Sequence, residues 1–447
     1  MSHCRCGSAV ACCPRADQLF GVEGLHVLDV TSQDDGQVVV AVQSDLALAG
    51  CPDCGVVAVG HGRRVQVLHD APSFGRPVRV RWVKRIWRCP EPSCPRLTWT
   101  EEHAFAAPRA KLTARAVAWA VEALRHDDTT VSAIARRLGV AWTTCWNAIL
   151  SSANTLIEHP ERVRGVTTIG VDEHIWRPSR NASKDKAVTV MVDLSRDESG
   201  CMRARLLDAV PGRSGRVFAD WLEEQGVEVT VTVEHAALDP FRGYANAIRD
   251  ALPDTTAVLD AFHVVKLAGQ ALDEVRRRTQ QATLGRRGHK DDPLYRIRRT
   301  LLTGVEHLTV RQAARLNTHL PAGDPDGEVE LAWSVYQRVR QIYDHSVPAT
   351  RGRERAEKLL ASLHTCPVPE LARLGRTLRA WREQLLAYFT TGGVSNGGTE
   401  AINGVIEKTR RLAHGFRNFT NYRIRILLAA DGTRPYRRYP RAKPEPC

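Results

Sequence analysis

The residues of this 447-residue chain whose types and spacing suit chemistry are three carboxylates at the ends of regular elements and four cysteines in two tight pairs. Asp172 closes the apolar run Val166-Thr167-Thr168-Ile169-Gly170-Val171. Asp239 follows Leu238 at the end of another such run and precedes Pro240. Glu400 opens a stretch in which Ile402, Val405, Ile406 and Leu412 recur at helical spacing, while Lys408, Arg410 and Arg411 make its far end basic. Thr399, after an Asn396-Gly397-Gly398 turn, is placed to cap that helix. Three converging carboxylates can hold two divalent ions about 3.5–4 Å apart, one beside an attacking oxygen and one beside a leaving oxygen. Mg²⁺ (or Mn²⁺) suits this work, because Mg²⁺ keeps several waters and takes few carboxylates. Singly, each residue also has a structural reading: a strand-end turn for Asp172, an Asp-Pro turn for Asp239, and a surface carboxylate at a helix N-terminus for Glu400. Asp260, at the end of a later strand, is the rival of Asp239, and Glu173, Glu234 and Glu407 read as solvated or supporting charges.

The surrounding pattern supplies the elements that must position these groups. Strands are expected at residues 166–174, 187–194, 203–210, 227–238 and 256–259, with helices at 216–224 and 241–252. Three strands, a helix, then alternating strand and helix is the ribonuclease H-like order. In that fold the first and fourth strands are neighbours, so Asp172 and Asp239 converge and a late helix supplies Glu400. The predicted core spans residues 165–267 and 394–430, interrupted by an α-helical insertion at 268–393. The insertion is rich in arginine (Arg276, Arg277, Arg278, Arg286, Arg287, Arg296, Arg298, Arg299) and is expected to turn a basic face to DNA. Trp333 and Trp381 suit base stacking, but core packing is the preferred reading. Residues 431–447 read as a basic disordered tail.

The cysteines point to zinc. Cys51-Pro52-Asp53-Cys54 and Cys89-Pro90-Glu91-Pro92-Ser93-Cys94 flank a strictly alternating strand at 78–87, and two such knuckles joined through β structure make a structural Cys4 site in a domain at 45–100. Arg79, Arg81, Lys84 and Arg85 would make one edge of that strand basic. Residues 25–42 read as a hairpin. In residues 1–44, Cys4, Cys6, Cys12 and Cys13 have no standard ligand spacing. With no apolar leader behind a basic start and no run of about 18 apolar residues, the expected setting is cytoplasmic, without a membrane partner, and there thiols stay reduced.

A helical stretch at 112–125, with Thr113 as its cap, precedes a helix-turn-helix pattern at 130–150, in which Ala135 permits close approach and Gly139 permits the turn. Within this domain (108–155), Arg137, Trp142, Thr143, Thr144 and Asn147 are the candidates to contact DNA. The net charge of +13 agrees with a polyanionic partner. The fold class is thus α/β and multidomain: a Cys4 zinc-binding β module, a helix-turn-helix domain, and an interrupted ribonuclease H-like catalytic core.

With these residues in view, the chain resembles bacterial insertion-sequence transposases of the ISL3 family over residues 45–430. The resemblance is carried by the two cysteine knuckles, Gly170-Val171-Asp172-Glu173-His174, Leu238-Asp239-Pro240-Phe241-Arg242-Gly243-Tyr244, Leu259-Asp260-Ala261-Phe262-His263-Val264-Val265-Lys266, Ser395-Asn396-Gly397-x-x-Glu400 and Gly415-Phe416-Arg417-Asn418. It implies that Asp172, Asp239 and Glu400 are the DDE triad. It also implies that Asp260 and His263 form an accessory signature, His263 orienting a scissile phosphate or supporting a ligand. The implied activity is DNA transposition on double-stranded transposon ends and target, by a homo-oligomer that pairs two ends. The alternatives are a non-catalytic zinc and helix-turn-helix regulator, and a ribonuclease H-like nuclease.

Overall fold

A computed structural model of the chain describes residues 14–177 and 186–433. Cys4, Cys6, Cys12, Cys13 and nearly all of the predicted tail lie outside the described residues. The chain divides into two compact units, one of residues 1–159 and 409–447 and one of residues 160–408.

In the first unit, helix α1 (Pro14–Phe20) leads into the antiparallel hairpin of β1 (Leu25–Ser32) and β2 (Val38–Ser44). Strands β3 (Val59–Ser73) and β4 (Arg76–Arg88) pair antiparallel; β4 also runs parallel to β2, and the short β5 (Thr98–Thr100) pairs with its far end. Alternation along β4 sends Val78, Val80 and Trp82 into a core with Val27, Val40, Val42 and Leu68. The expected basic edge is not formed, because β4 has a partner on each side. Lys84 takes the next inward place, 5% exposed, its ammonium 4.0 Å from the Trp82 ring centre. Arg85 donates to the carbonyl oxygens of Ser44 and Asp45.

Helices α2 (Ala114–His126), α3 (Val131–Leu138) and α4 (Trp142–Ile157) follow. The Thr113 and Thr130 side chains accept from backbone N–H groups and start α2 and α3. Gly139 ends α3 at φ 67°, the left-handed conformation that glycine adopts without strain. Ala135, Leu138, Trp146 and Ile149 form the buried seam between α3 and α4.

The second unit opens with an antiparallel meander of β6 (Thr168–Arg177), β7 (Lys186–Asp193) and β8 (Arg205–Pro211). Helices α5 (Gly215–Gln225) and α6 (Val227–Thr230) lead to β9 (His235–Leu238), which pairs parallel with β6. Helix α7 (Arg242–Ala251) then leads to β10 (Thr256–Leu259), parallel to β9. The strand order β10-β9-β6-β7-β8 is the ribonuclease H-like order. The expected fourth strand at 227–238 is corrected to its last four residues. Gly226, at φ 77°, breaks the chain direction, and residues 227–230 wind into a helical turn. The Thr230 and Thr232 hydroxyls donate to carbonyls of that turn, Thr232 Oγ1 to Val229 O at 2.8 Å, so threonines that read as strand formers stabilise a turn instead.

The insertion begins inside α8 (Ala261–Leu284), which runs unbroken across residue 267. It continues through α9 (Pro293–Ile297), α10 (Val310–Gly323), α11 (Glu328–Ile342), α12 (Ala349–Ser362), α13 (Pro369–Ala380) and α14 (Arg382–Thr390). Val171, Leu238 and Leu259 of the sheet share one apolar core with Val264, Leu272, Val339, Leu359 and Leu378 of these helices. Trp381 is 4% exposed in that core, and Trp333 packs against it. Helix α15 (Gly397–Leu412) comes next, and the division between the units falls within it. The last helix, α16 (Phe419–Ala429), places Ile424 and Leu428 in the helix-turn-helix core, and Asn421 Oδ1 accepts from Trp146 Nε1 at 3.2 Å. No helix of the described residues is long and apolar enough to cross a membrane.

Gly170 is the point where α15 meets the sheet. A Cβ there would collide with Thr399 Oγ1 and come within 2.6 Å of Asn396 Oδ1 and 2.7 Å of Leu194 Cδ1. Gly170→Ala should therefore lower the stability of this unit by about 1–3 kcal/mol, read from urea unfolding. An unchanged midpoint would mean that α15 can slide without cost.

Candidate active site

Val171 of β6 stands opposite Leu238 of β9, and Leu238 opposite Leu259 of β10. The next residue on each path is an aspartate, so Asp172, Asp239 and Asp260 form a row across three parallel chain segments. This is the carboxyl-terminal side of β9 and β10, where open α/β sheets bind ligands. His263, in the first turn of α8, joins two of them: Nε2 lies 2.9 Å from Asp239 Oδ2 and Nδ1 lies 3.0 Å from Asp260 Oδ2. Asp260 also caps α8 by accepting the His263 N–H at 3.1 Å, and its other oxygen accepts the Asn396 N–H at 2.8 Å. The Asn396 side-chain amide donates to Val171 O at 3.2 Å and to Asp239 Oδ1 at 3.4 Å.

The electrostatics follow from this crowding. Burial, and then the negative charge of Asp239, push the Asp172 carboxyl up to about 7. Burial opposes a charge on His263, but its hydrogen bonds to Asp239 and Asp260 outweigh it and raise the imidazole to about 9. Partial burial of its carboxyl, opposed by the charge of Arg213 and reinforced by that of Asp239, also raises Glu173.

Helix α15 lies along β6 in register. Thr399 abuts Gly170, Asn403 Nδ2 donates to Asp172 Oδ2 at 2.7 Å, and Glu407 lies 4.0 Å from His174 Nε2. Two strand residues advance about 6.8 Å and four helix residues about 6 Å, so the two ladders stay matched over these three rungs. The helix starts at Gly397, with the Asn396 carbonyl accepting the N–H groups of Thr399 and Glu400. Thr399 is therefore not the cap expected from the sequence; it is 0% exposed and fills the space over Gly170. Glu400 sits on one helical stripe with Asn396 and Asn403, between the amide that touches Asp239 and the amide that touches Asp172. Its side chain is exposed, and its carboxylate has no hydrogen-bond or ion-pair partner among the described residues. The structure thus brings Asp239, Asp260 and His263 together with Asp172 in the same row, while Glu400 stands exposed on the helix bonded to that row.

Two groups of described residues have the donors and the closeness to hold a metal ion, Asp239 with Asp260 and His263, and the four cysteines. The acidic group fits a hard divalent cation. Its donors are mainly carboxylate oxygens, the ligands such an ion prefers. In the cysteine group, Cys51 Sγ lies 3.7 Å from Cys94 Sγ and Cys54 Sγ 3.5 Å from Cys89 Sγ. A regular tetrahedron with Zn–S of 2.3 Å has edges of about 3.8 Å, so the four thiols fit zinc with all positions filled by protein.

On the helix-turn-helix, Trp142, Thr143 and Asn147 are exposed along α4, Thr144 is half-buried beside them, and Arg137 is exposed near the end of α3. The sequence reading missed two groups at the acidic row. Asn396 read as a turn residue and Asn403 was not singled out. The signal was there in their four-then-three spacing about Glu400, which puts both amides on its stripe.

The intact chain should carry one zinc ion per molecule by atomic emission. Cys89→Ser should carry none and should lose the folding transition of its module, since structural zinc contributes on the order of 10 kcal/mol. Full zinc retention in that variant would remove Cys89 from the ligand set.

A model of the ISL3 DDE family, described as a transposase, matches residues 169–426. A helix-turn-helix domain model of transposase family ISL3 matches residues 101–153, and a zinc-finger model of the transposases of IS204, IS1001, IS1096 and IS1165 matches residues 47–94. The chain is 25% identical over 355 residues to the transposase for insertion sequence element IS1557 of Mycobacterium tuberculosis, in strains CDC 1551 / Oshkosh and H37Rv; the match covers 72% of this chain and 76% of each relative. The first of these models spans more than half of the chain, from the strand that carries Asp172 to the helix that closes the helix-turn-helix core, and the chain belongs to the ISL3 family of transposases.

Proposed function

We propose that this chain is a DDE transposase that binds the terminal inverted repeats of an insertion sequence, cuts its ends with water as nucleophile, and joins the freed 3′-OH to target DNA by in-line transesterification. The observation that supports it best is the row of Asp172 and Asp239 on neighbouring parallel strands, with α15, the helix that carries Glu400, bonded to both through Asn396 and Asn403. Asp172, Asp239 and Glu400 are the residues that would hold Mg²⁺ or Mn²⁺. Bound there, such ions activate the attacking oxygen and stabilise the leaving one.

The other groups position these three. Asp260 is assigned to orientation and not to the open site, because its side chain is 2% exposed while that of Asp239 is 20% exposed. Through His263 Nδ1 it fixes the ring so that Nε2–H faces Asp239. The hydrogen bonds to Asp239 and Asp260 favour the imidazolium form of His263, a suitable neighbour for phosphate oxygens. Asn403 holds the Asp172 carboxylate in one orientation. The zinc module and the outer face of α4 would read double-stranded element ends in the cytoplasm, and pairing two ends calls for a homo-oligomer.

The test is cleavage and strand transfer on DNA carrying the native element ends, in Mg²⁺ or Mn²⁺. Asp172→Ala, Asp239→Ala and Glu400→Gln should bind the ends as the unaltered chain does and lose cutting by at least about 10²-fold. If Asp239→Ala still cuts while Asp260→Ala does not, the second ligand is Asp260. If the unaltered chain binds the ends and never cuts, it is a DNA-binding regulator; if it cuts without joining, it is a nuclease.

A further inference from the structure

A groove of about 730 Å³ runs along α8 away from His263. Its wall on that helix is the stripe Phe262, Lys266, Gly269, Asp273 and Arg277, and α9 and its flanking residues supply Arg287, Tyr295, Arg298 and Arg299 on the other side. Six cations line it against one carboxylate, Asp273. Asp273 is already bound by Arg276 and Arg277.

The neighbouring arginines show how unusual the remaining charge is. Arg278 is held by Glu328 and Glu370, and Arg286 by Asp292. Arg276, expected on a basic surface, is 4% exposed and neutralised. Lys266, Arg287, Arg298 and Arg299 have no carboxylate partner among the described residues, and Lys266, Arg287 and Arg299 are exposed. Of the six cations lining the groove, Arg276 and Arg277 are paired with Asp273, and Lys266, Arg287, Arg298 and Arg299 are left without a carboxylate among the described residues. Like charges gathered in a concavity are costly unless an anion neutralises them.

The end of the groove nearest the acidic row carries Phe262. This residue is 52% exposed, and its ring stands edge-on to His263, centroids 5.5 Å apart. In a duplex the bases are stacked on one another and offer no face to such a ring. An unpaired base does, and stacking on an aromatic ring is the usual sequence-tolerant way of holding single strands. The volume also falls within the range of small-ligand clefts, about 300–1,000 Å³, suited to a short single strand and not to a double helix.

We propose that this groove binds the single-stranded DNA flank next to the cut, an unpaired base stacking on Phe262 while Lys266, Arg287 and Arg299 contact its phosphates. The proposal rests on the transposase reading for the presence of a cut, but the groove can be tested without one.

Fluorescence anisotropy of the full-length chain with labelled oligo(dT), and separately with a hairpin duplex, supplies the test. Phe262→Ala should weaken oligo(dT) binding by about 10-fold and leave duplex binding unchanged, and Phe262→Tyr should restore it. Arg287→Ala combined with Arg299→Ala should weaken oligo(dT) and reduce the salt slope by about 1.4, at 0.7 for each phosphate contact. Equal losses on both probes, failure of Phe262→Tyr to restore binding, or no loss in either variant would each overturn the groove as a single-strand site. Cutting of element ends, run alongside, separates the two readings. A chain that cuts but shows no single-strand defect in these variants keeps the transposase reading and loses the groove; a chain that shows the defect but never cuts keeps the groove and loses the reaction.

Discussion

Everything in the catalytic unit is arranged around one electrostatic constraint: aspartates at the ends of adjacent parallel strands are held about one strand spacing apart, near 4.8 Å, and cannot all be buried as bare anions. The imidazole of His263 lies between Asp239 and Asp260 and donates to both. The Asn396 N–H and amide supply further donors to the same pair. Asp172 accepts from the Asn403 amide and its own neighbouring backbone N–H, and burial and then the charge of Asp239 push its carboxyl up. The polar residues of α15 are explained by the acidic row they face.

That dependence also explains the shape of α15 and of β6. A helix can follow a strand only while their repeats agree, and the pairs Gly170–Thr399, Asp172–Asn403 and His174–Glu407 use three rungs of that agreement. Gly170 lacks a side chain because the Thr399 and Asn396 side chains occupy the place of a Cβ, and Thr399 is fully buried there. Glu400, one residue further round the helix, is turned out of the seam toward the open side. An exposed charge and the contacts that dock the helix are divided between adjacent residues of one turn.

Much of this was legible in the residues themselves. Cysteine pairs, strand alternation in β4, the threonine caps of α2 and α3, Gly139 and the order of strands in the core are local signals, and local signals survive folding. The failures have a common cause. The run at 227–238 alternates like a strand, yet Gly226 and the threonine hydroxyls turn its first part into a helix. Thr399 has the chemistry of a cap but is buried against β6. Lys84 and Arg85 look like surface charges but lie on an interior strand. Asn396 and Asn403 gain their meaning only from aspartates more than a hundred residues away in sequence. Each miss is a place where a distant partner, absent from any local window, decides the outcome.

Helix α16 has a consequence for how the molecule is made. Ile424 and Leu428 complete the core of a helix-turn-helix whose other helices end by residue 157. During synthesis the ribosome must therefore deliver the whole catalytic unit before the DNA-reading fold can close. A chain interrupted anywhere ahead of residue 419 leaves the seam over Ile149 and Trp146 open to water and Trp146 without its Asn421 partner. Truncated products of the gene would then be poor competitors for the element's ends, and occupancy of those ends would report complete enzyme.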